Sequence, residues 1–177
     1  MTKLTTNNAE NNNTAATRVA VLMGGSSAEA EVSRSSAAEV AKGIRQAGFN
    51  AQCIELDHNV TEQLQNYQAD VVFPALHGPT GEDGTIQGYL EIMHLPYVGS
   101  DVRGSALAMD KCIAKSIFAA AGLPIAAQII IAPDQDIAQL QQQIHSQLGE
   151  RIVVKPRAEG SAIGVMRLTR FSDHTEA

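Results

Sequence analysis

The sequence predicts an α/β protein whose first domain is a doubly wound, mostly parallel sheet, and three observations carry that prediction. Short apolar runs are continuous rather than alternating, as in strands buried on both faces. Between them lie segments with apolar residues at spacings of three and four, the pattern of crossover helices. Glycines punctuate the joins, and 177 residues suffice for one compact domain or for one domain plus part of another.

In chain order, residues 1–17 hold ten Asn or Thr and almost nothing apolar. They cannot bury enough surface to offset the entropy of ordering and are expected to form a disordered tail. The first strand is expected from Arg18 through Val19, Ala20, Val21, Leu22 and Met23, stopping at Gly24-Gly25. Ala37, Val40, Ala41, Ile44 and Ala47 then give one helical face, with Gly48 where the helix would end. Cys53 to Leu56 reads as a second strand and Asp70 to Leu76 as a third, running into a polar loop from His77 to Gly84. Ile86, Tyr89, Leu90 and Met93 lie at i, i+3, i+4 and i+7 of a further helix. Right-handed crossovers between such strands make the sheet parallel. Ligands then gather outside the carboxyl ends of the strands, where the Gly24 loop and the His77 loop are expected.

Past Gly99 the character changes. Ser105 to Ala121 is helical in pattern with an interruption at Asp110, and Gly122-Leu123-Pro124 is a stop signal. A strand is expected over Gln128 to Ala132, an amphipathic helix over Asp134 to Leu148, and a hairpin from Arg151–Lys155 through the turn Glu159 to Gly164 into Val165–Leu168. Asp173 and Glu176 have capping-box spacing for one more helix.

Composition excludes several function classes. A net charge of −6 without a basic patch, together with 4% aromatic residues and no Trp, removes the apparatus of nucleic-acid binding. No apolar run approaches the ~18 residues of a membrane span, and the N-terminus lacks a secretory apolar region, so a cytoplasmic location is expected. Cys53 and Cys112 are far apart without metal-ligand spacing and read as small buried hydrophobes.

Four features bear chemistry. Gly24-Gly25-Ser26-Ser27-Ala28-Glu29 places amides and hydroxyls between a strand and a helix N-terminus, where an anion or a polar substrate end binds readily. It matches neither common phosphate-loop pattern, and Glu29 would also be favourable simply as a first-turn acid. His77 to Gly84 is either a close-approach loop or a strand-to-helix connection capped by Asp83. Lys155 closes an apolar strand, where a charge needs a partner, and Lys111 opens a helix.

Taken together these segments resemble D-alanine–D-alanine ligases of the ATP-grasp superfamily. The resemblance rests on Gly24 to Ser33, on His77-Gly78 with Gly81 to Gly88, on Pro96 to Ser100, on Ser105 to Lys111, and on Val154-Lys155-Pro156 with Glu159-Gly160-Ser161. It spans Arg18 to about Leu168 and corresponds to the first half of the family's polypeptide. It implies a substrate-binding α/β domain over 18–109 and the opening part of an ATP-grasp α+β domain over 110–177.

The activity implied is transfer of the ATP γ-phosphate to one D-alanine carboxylate, followed by attack of a second D-alanine amine on the acyl phosphate, for peptidoglycan synthesis. By the same resemblance Glu29 holds the ammonium of the first D-alanine, Ser161 joins that network as a second catalytic residue, and His77 lies beside the substrate. Lys111, Lys155 and Glu159 belong to the ATP site, with the amides of Gly160 and Ala162 covering the phosphates. Magnesium is implied as a cofactor, its acidic ligands coming from the family's second half, so no metal ligand is assigned here. D-alanine and ATP are the implied partners, with no nucleic acid or membrane, and a homodimer is among the assemblies expected. Activity of the chain alone is not expected.

Ala30, Arg157 and Ala162 depart from the family, which often has Arg, a small hydroxyl residue and Ser there. The rival readings are a non-catalytic remnant or interaction module of the same fold, and a ligase that takes D-lactate or D-serine as second substrate.

Overall fold

A computed structural model of the chain describes residues 17–169. The expected tail, apart from Thr17, and the Asp173–Glu176 capping spacing lie outside the described residues. Two compact units emerge: 17–76 with 89–99, and 77–88 with 100–169.

The first unit is built on β1 (Arg18–Met23), α1 (Ala30–Gln46), β2 (Asn50–Glu55), α2 (Val60–Tyr67) and β3 (Val71–Pro74). The strands form a parallel sheet in the order β2-β1-β3, with Val21 opposite both Cys53 and Phe73. Pairing begins one residue before β1, where the Thr17 carbonyl accepts from Asn50 N. Because β1 is central, its side chains must be apolar on both faces, and Ala20, Val21 and Leu22 are fully buried. Val19 and Val21 pack with Ala37 and Ala41 of α1. By alternation Ala20 and Leu22 point to the opposite face, and α2 packs against β1 and β2 through this unit.

The order explains the two-sided cover. β1 to β2 and β2 to β3 step in opposite directions, and right-handed crossovers then put α1 and α2 on opposite faces. Burying each of Leu22, Ile54 and Leu64 contributes about 1.5–3 kcal/mol. Beyond β3 the chain returns at 96–98: Val72 N donates to Pro96 O and Val98 N to Val72 O, adding a parallel bridge at Tyr97.

In the second unit α4 (Val102–Met109) and α5 (Lys111–Ala120) meet at a break, α6 (Ile137–Leu148) follows, and β4 (Ile152–Val154) pairs antiparallel with β5 (Met166–Leu168). Side chains fix the helix starts: Asp101 accepts from Gly104 N, Asp110 from Cys112 N and Ile113 N, and Asp136 from Gln139 N. Asp110 ends α4 in extended backbone while capping α5, which is why the helical pattern is interrupted there. α3 (Thr85–Ile92) divides between the units, its first turn belonging to the second.

One sequence expectation needs correction, and one helix carried too weak a pattern to be expected. Gln128 to Ala132 is not a strand: Ile130 and Ile131 are exposed and the segment pairs with no strand among the described residues. An apolar run makes a strand only where a neighbour satisfies its backbone groups. Conversely α2 was not foreseen, because its face is short, with Val60, Leu64 and Tyr67 at i, i+4 and i+7 in an otherwise polar stretch.

Candidate functional site

At the end of β1 the chain turns sharply. Gly24 has φ +74°, and a Cβ there would lie 1.8 Å from Glu55 Oε1, so the carboxylate occupies the space a side chain would need. Arg34 of α1 fixes Glu55 through Nη2 at 2.7 Å and Nε at 3.2 Å, and Glu31 joins at 2.9 Å. Hydrogen bonds to Glu55 and then to Glu31 hold the Arg34 guanidinium protonated well above its ordinary range. Glu29 occupies the N-cap position of α1, yet its side chain makes no capping bond and is buried, 6% exposed. Glu29 therefore does not act as a hydrogen-bonding cap. A carboxylate held inside the protein at the start of a helix suits a cationic partner.

In the second unit His77 opens a loop whose carboxylates turn inward. Glu82 Oε2 accepts from Gly78 N at 2.8 Å, and Glu82 Oε1 lies 3.9 Å from His77 Nδ1. Asp83 accepts from Thr80 N and Thr85 N, both at 3.0 Å, which confirms it as the connector into α3. Burial pushes the Asp83 carboxyl up, but the hydrogen bonds from Thr80 and Thr85 outweigh it and hold it below its ordinary range. Gln87, buried, donates from Nε2 to Gly81 O at 2.9 Å. Gly84, at φ +93°, passes so close to α4 that a Cβ would lie 2.6 Å from Val102 O. Close approach and left-handed backbone therefore both hold at this loop.

The other candidates of this unit gather at the hairpin. Lys155 follows β4 and is exposed, so the expected need for a buried partner does not arise. Lys111 opens α5, and its Nζ donates to Glu159 O and, at 3.5 Å, to Arg157 O, while its amide donates to Arg157 O at 3.1 Å. Arg157 Nε reaches Asp110 Oδ2 at 2.6 Å. That hydrogen bond, with those from Ile113 and Cys112, lowers the Asp110 carboxyl to about 2. Ser161 and Ala162 take positive φ of 45° and 60°, followed by Gly164 at 67°, with Ile163 N bonded to Gly160 O.

The structure thus brings Lys111 and Glu159 together at one turn with Gly160, Ser161 and Ala162, and sets His77 beside Glu82. Glu29 lies in the other unit. Sequence reading missed Ser33, Arg34, Glu55 and Glu82 as site-shaping residues. An Arg one turn into the helix was the available signal, whereas the role of Ser33 depends on partners distant in sequence. Among the described residues no three His, Cys, Asp or Glu side chains are grouped to hold a metal ion. No helix there is long and apolar enough to cross a membrane.

Comparisons with known proteins agree on one family. Residues 58–100 match the family model described as the D-ala D-ala ligase N-terminus. The chain is 42% identical over 162 residues to a D-alanine–D-alanine ligase of Methylibium petroleiphilum, covering 90% of this chain and 50% of that one. It is 47% identical over 148 residues to that of Cereibacter sphaeroides, covering 84% and 46%. Among solved structures it is similar to the D-alanine-D-alanine ligase from Coxiella burnetii, with a TM-score of 0.75 at 27% identity over 86% of this chain and 56% of that one. It is also similar to the Bacillus anthracis enzyme complexed with ATP, with a TM-score of 0.73 at 32% identity over 88% and 51%. The chain spans about half the length of the curated relatives it matches.

Proposed function

The chain matches the N-terminal half of D-alanine–D-alanine ligases, and from that premise we propose that it supplies the first D-alanine site and part of the ATP site of such a ligase. In this reading 18–109 is the substrate-binding domain and 110 onward the opening of the ATP-grasp domain. What carries it is the similarity of relatives over 84–90% of the chain.

The residues supply suitable chemistry. The buried Glu29 carboxylate pairs with the ammonium of D-alanine, as its lack of a capping role favours. Lys111 and Lys155 place positive charge along the ATP phosphates, and the amides of Gly160 and Ala162 cover them. An ammonium has three N–H donors; in Lys111 two of them are aimed at Arg157 O and Glu159 O, so one serves an anion while the others hold the turn.

Phosphoryl transfer asks mainly for positioning and charge stabilisation. The γ-phosphate passes to the D-alanine carboxylate, and the amine of a second substrate displaces phosphate from the acyl phosphate to form the dipeptide of the cell wall. The described residues do not fit a magnesium centre.

The test is a titration of the isotopically labelled 177-residue chain with D-alanine, L-alanine and ATP, followed by amide chemical shifts. D-alanine is expected to shift residues 24–30 more strongly than L-alanine, and ATP to shift 111 and 155–162. No response to D-alanine at tens of millimolar would overturn the assignment of Glu29.

A further inference from the structure

Ser33 lies one turn into α1, fully buried, and its hydroxyl joins two strand ends. It accepts from Gly24 N at 2.9 Å and donates to Ala75 O at 2.7 Å. Gly24 follows β1 and Ala75 follows β3, the neighbours between which the strand order reverses, where such sheets bind their ligands. A helical serine ordinarily bonds the carbonyl one turn back or faces solvent. This one instead holds the backbone of the turn that carries Glu29. Its own amide donates to Glu29 O at 2.9 Å, so Ser33 is bonded to both ends of segment 24–29. On the other side of Gly24 stands the Glu55 carboxylate, held by Arg34.

We propose that Ser33 is a positioning residue for the amino-acid substrate, fixing the 24–29 turn so that the Glu29 carboxylate faces the substrate ammonium. This rests on the assignment of Glu29 above. The hydroxyl is used fully, once as acceptor and once as donor, so alanine leaves a buried N–H and a buried C=O unsatisfied. The turn then loses its anchor while the apolar core keeps its contacts.

The experiment compares the wild-type chain with Ser33→Ala by D-alanine titration, ATP titration and amide hydrogen exchange. D-alanine affinity is expected to fall by about tenfold, because the two lost hydrogen bonds act on the substrate only indirectly, through the position of the turn. Exchange at 24–29 should accelerate while ATP affinity is unchanged. If Ser33→Ala does not fold, Ser33→Cys, which keeps the volume with only weak hydrogen bonding, carries the same comparison. A wild-type response to D-alanine that the variant retains in full overturns the proposal alone, as does equal loss of D-alanine and ATP binding. A wild-type chain with no D-alanine response overturns the Glu29 assignment and the proposal with it.

Discussion

Glu29 and Lys111 each stand at the start of a helix, but their surroundings give them different tasks. The Glu29 carboxylate is buried and does not cap, so replacing it by Gln removes a charge while keeping the size of the side chain and costing no cap. Glu29→Gln is expected to weaken D-alanine binding by about 1–3 kcal/mol, with thermal stability little changed. Calorimetric titration checks the first and thermal melting the second. Lys111 has a structural share as well, through the carbonyls of Arg157 and Glu159, whereas Lys155 is exposed. Lys111→Ala should therefore weaken ATP binding and also speed amide exchange across 157–163, and Lys155→Ala should weaken ATP binding alone. Identical exchange in the two variants would show that Lys111 does not hold the turn. These residue types were legible in the sequence because each stands at a local boundary, Glu29 after a glycine turn, Lys111 at a helix start and Lys155 at the end of an apolar strand. Ser33 was not, since its partners Gly24 and Ala75 lie 9 and 42 residues away.

The elements of the first unit could be read from the sequence because each carries its own period: a continuous run for β1, a four-residue stripe for α1, a glycine to end it. Where that local rule failed, a partner decided. Gln128–Ala132 has strand composition and no ladder, and α2 has few apolar residues but a sheet to rest on. The hairpin was expected, yet what seats its turn is a long-range pair. Arg157, a departure from the family pattern, bonds Asp110 at the junction of α4 and α5. The Asp110 carboxyl sits at about 2 against the usual 3.8, so it is depressed in the folded protein. Its contribution to stability is fully present above the usual value and is lost as pH falls through about 2. Carboxyl-carbon shifts should give that low midpoint, and Arg157→Gln should raise it toward 3.8, stopping short because Cys112 and Ile113 still donate. An unmoved midpoint would mean that the two amides alone set the titration.

For the whole molecule, the partition into two discontinuous units was invisible in the sequence, because it depends on contacts rather than on sequence order. In the second unit apolar side chains remain uncovered: Ile113, Ile117 and Phe118 on α5, Leu123 and Ile125 after it, and Val153, Val165 and Met166 at the hairpin. Ile113 and Ile117 share a helical face, and Phe118 is 47% exposed. Apolar surface of this kind favours association. The chain also spans about half the length of its relatives, and among its described residues no cluster of acids is grouped to hold magnesium. Phosphoryl transfer from ATP relies on the metal to neutralise the charge that develops on the phosphates. The 177-residue chain on its own is therefore expected to bind ATP and D-alanine without joining D-alanine, and to self-associate as its concentration rises. Phosphate release with D-alanine, ATP and magnesium, run beside light scattering, measures both. D-alanine-dependent phosphate release from a monodisperse monomer would contradict both expectations, since the groups described here would then suffice for the whole reaction.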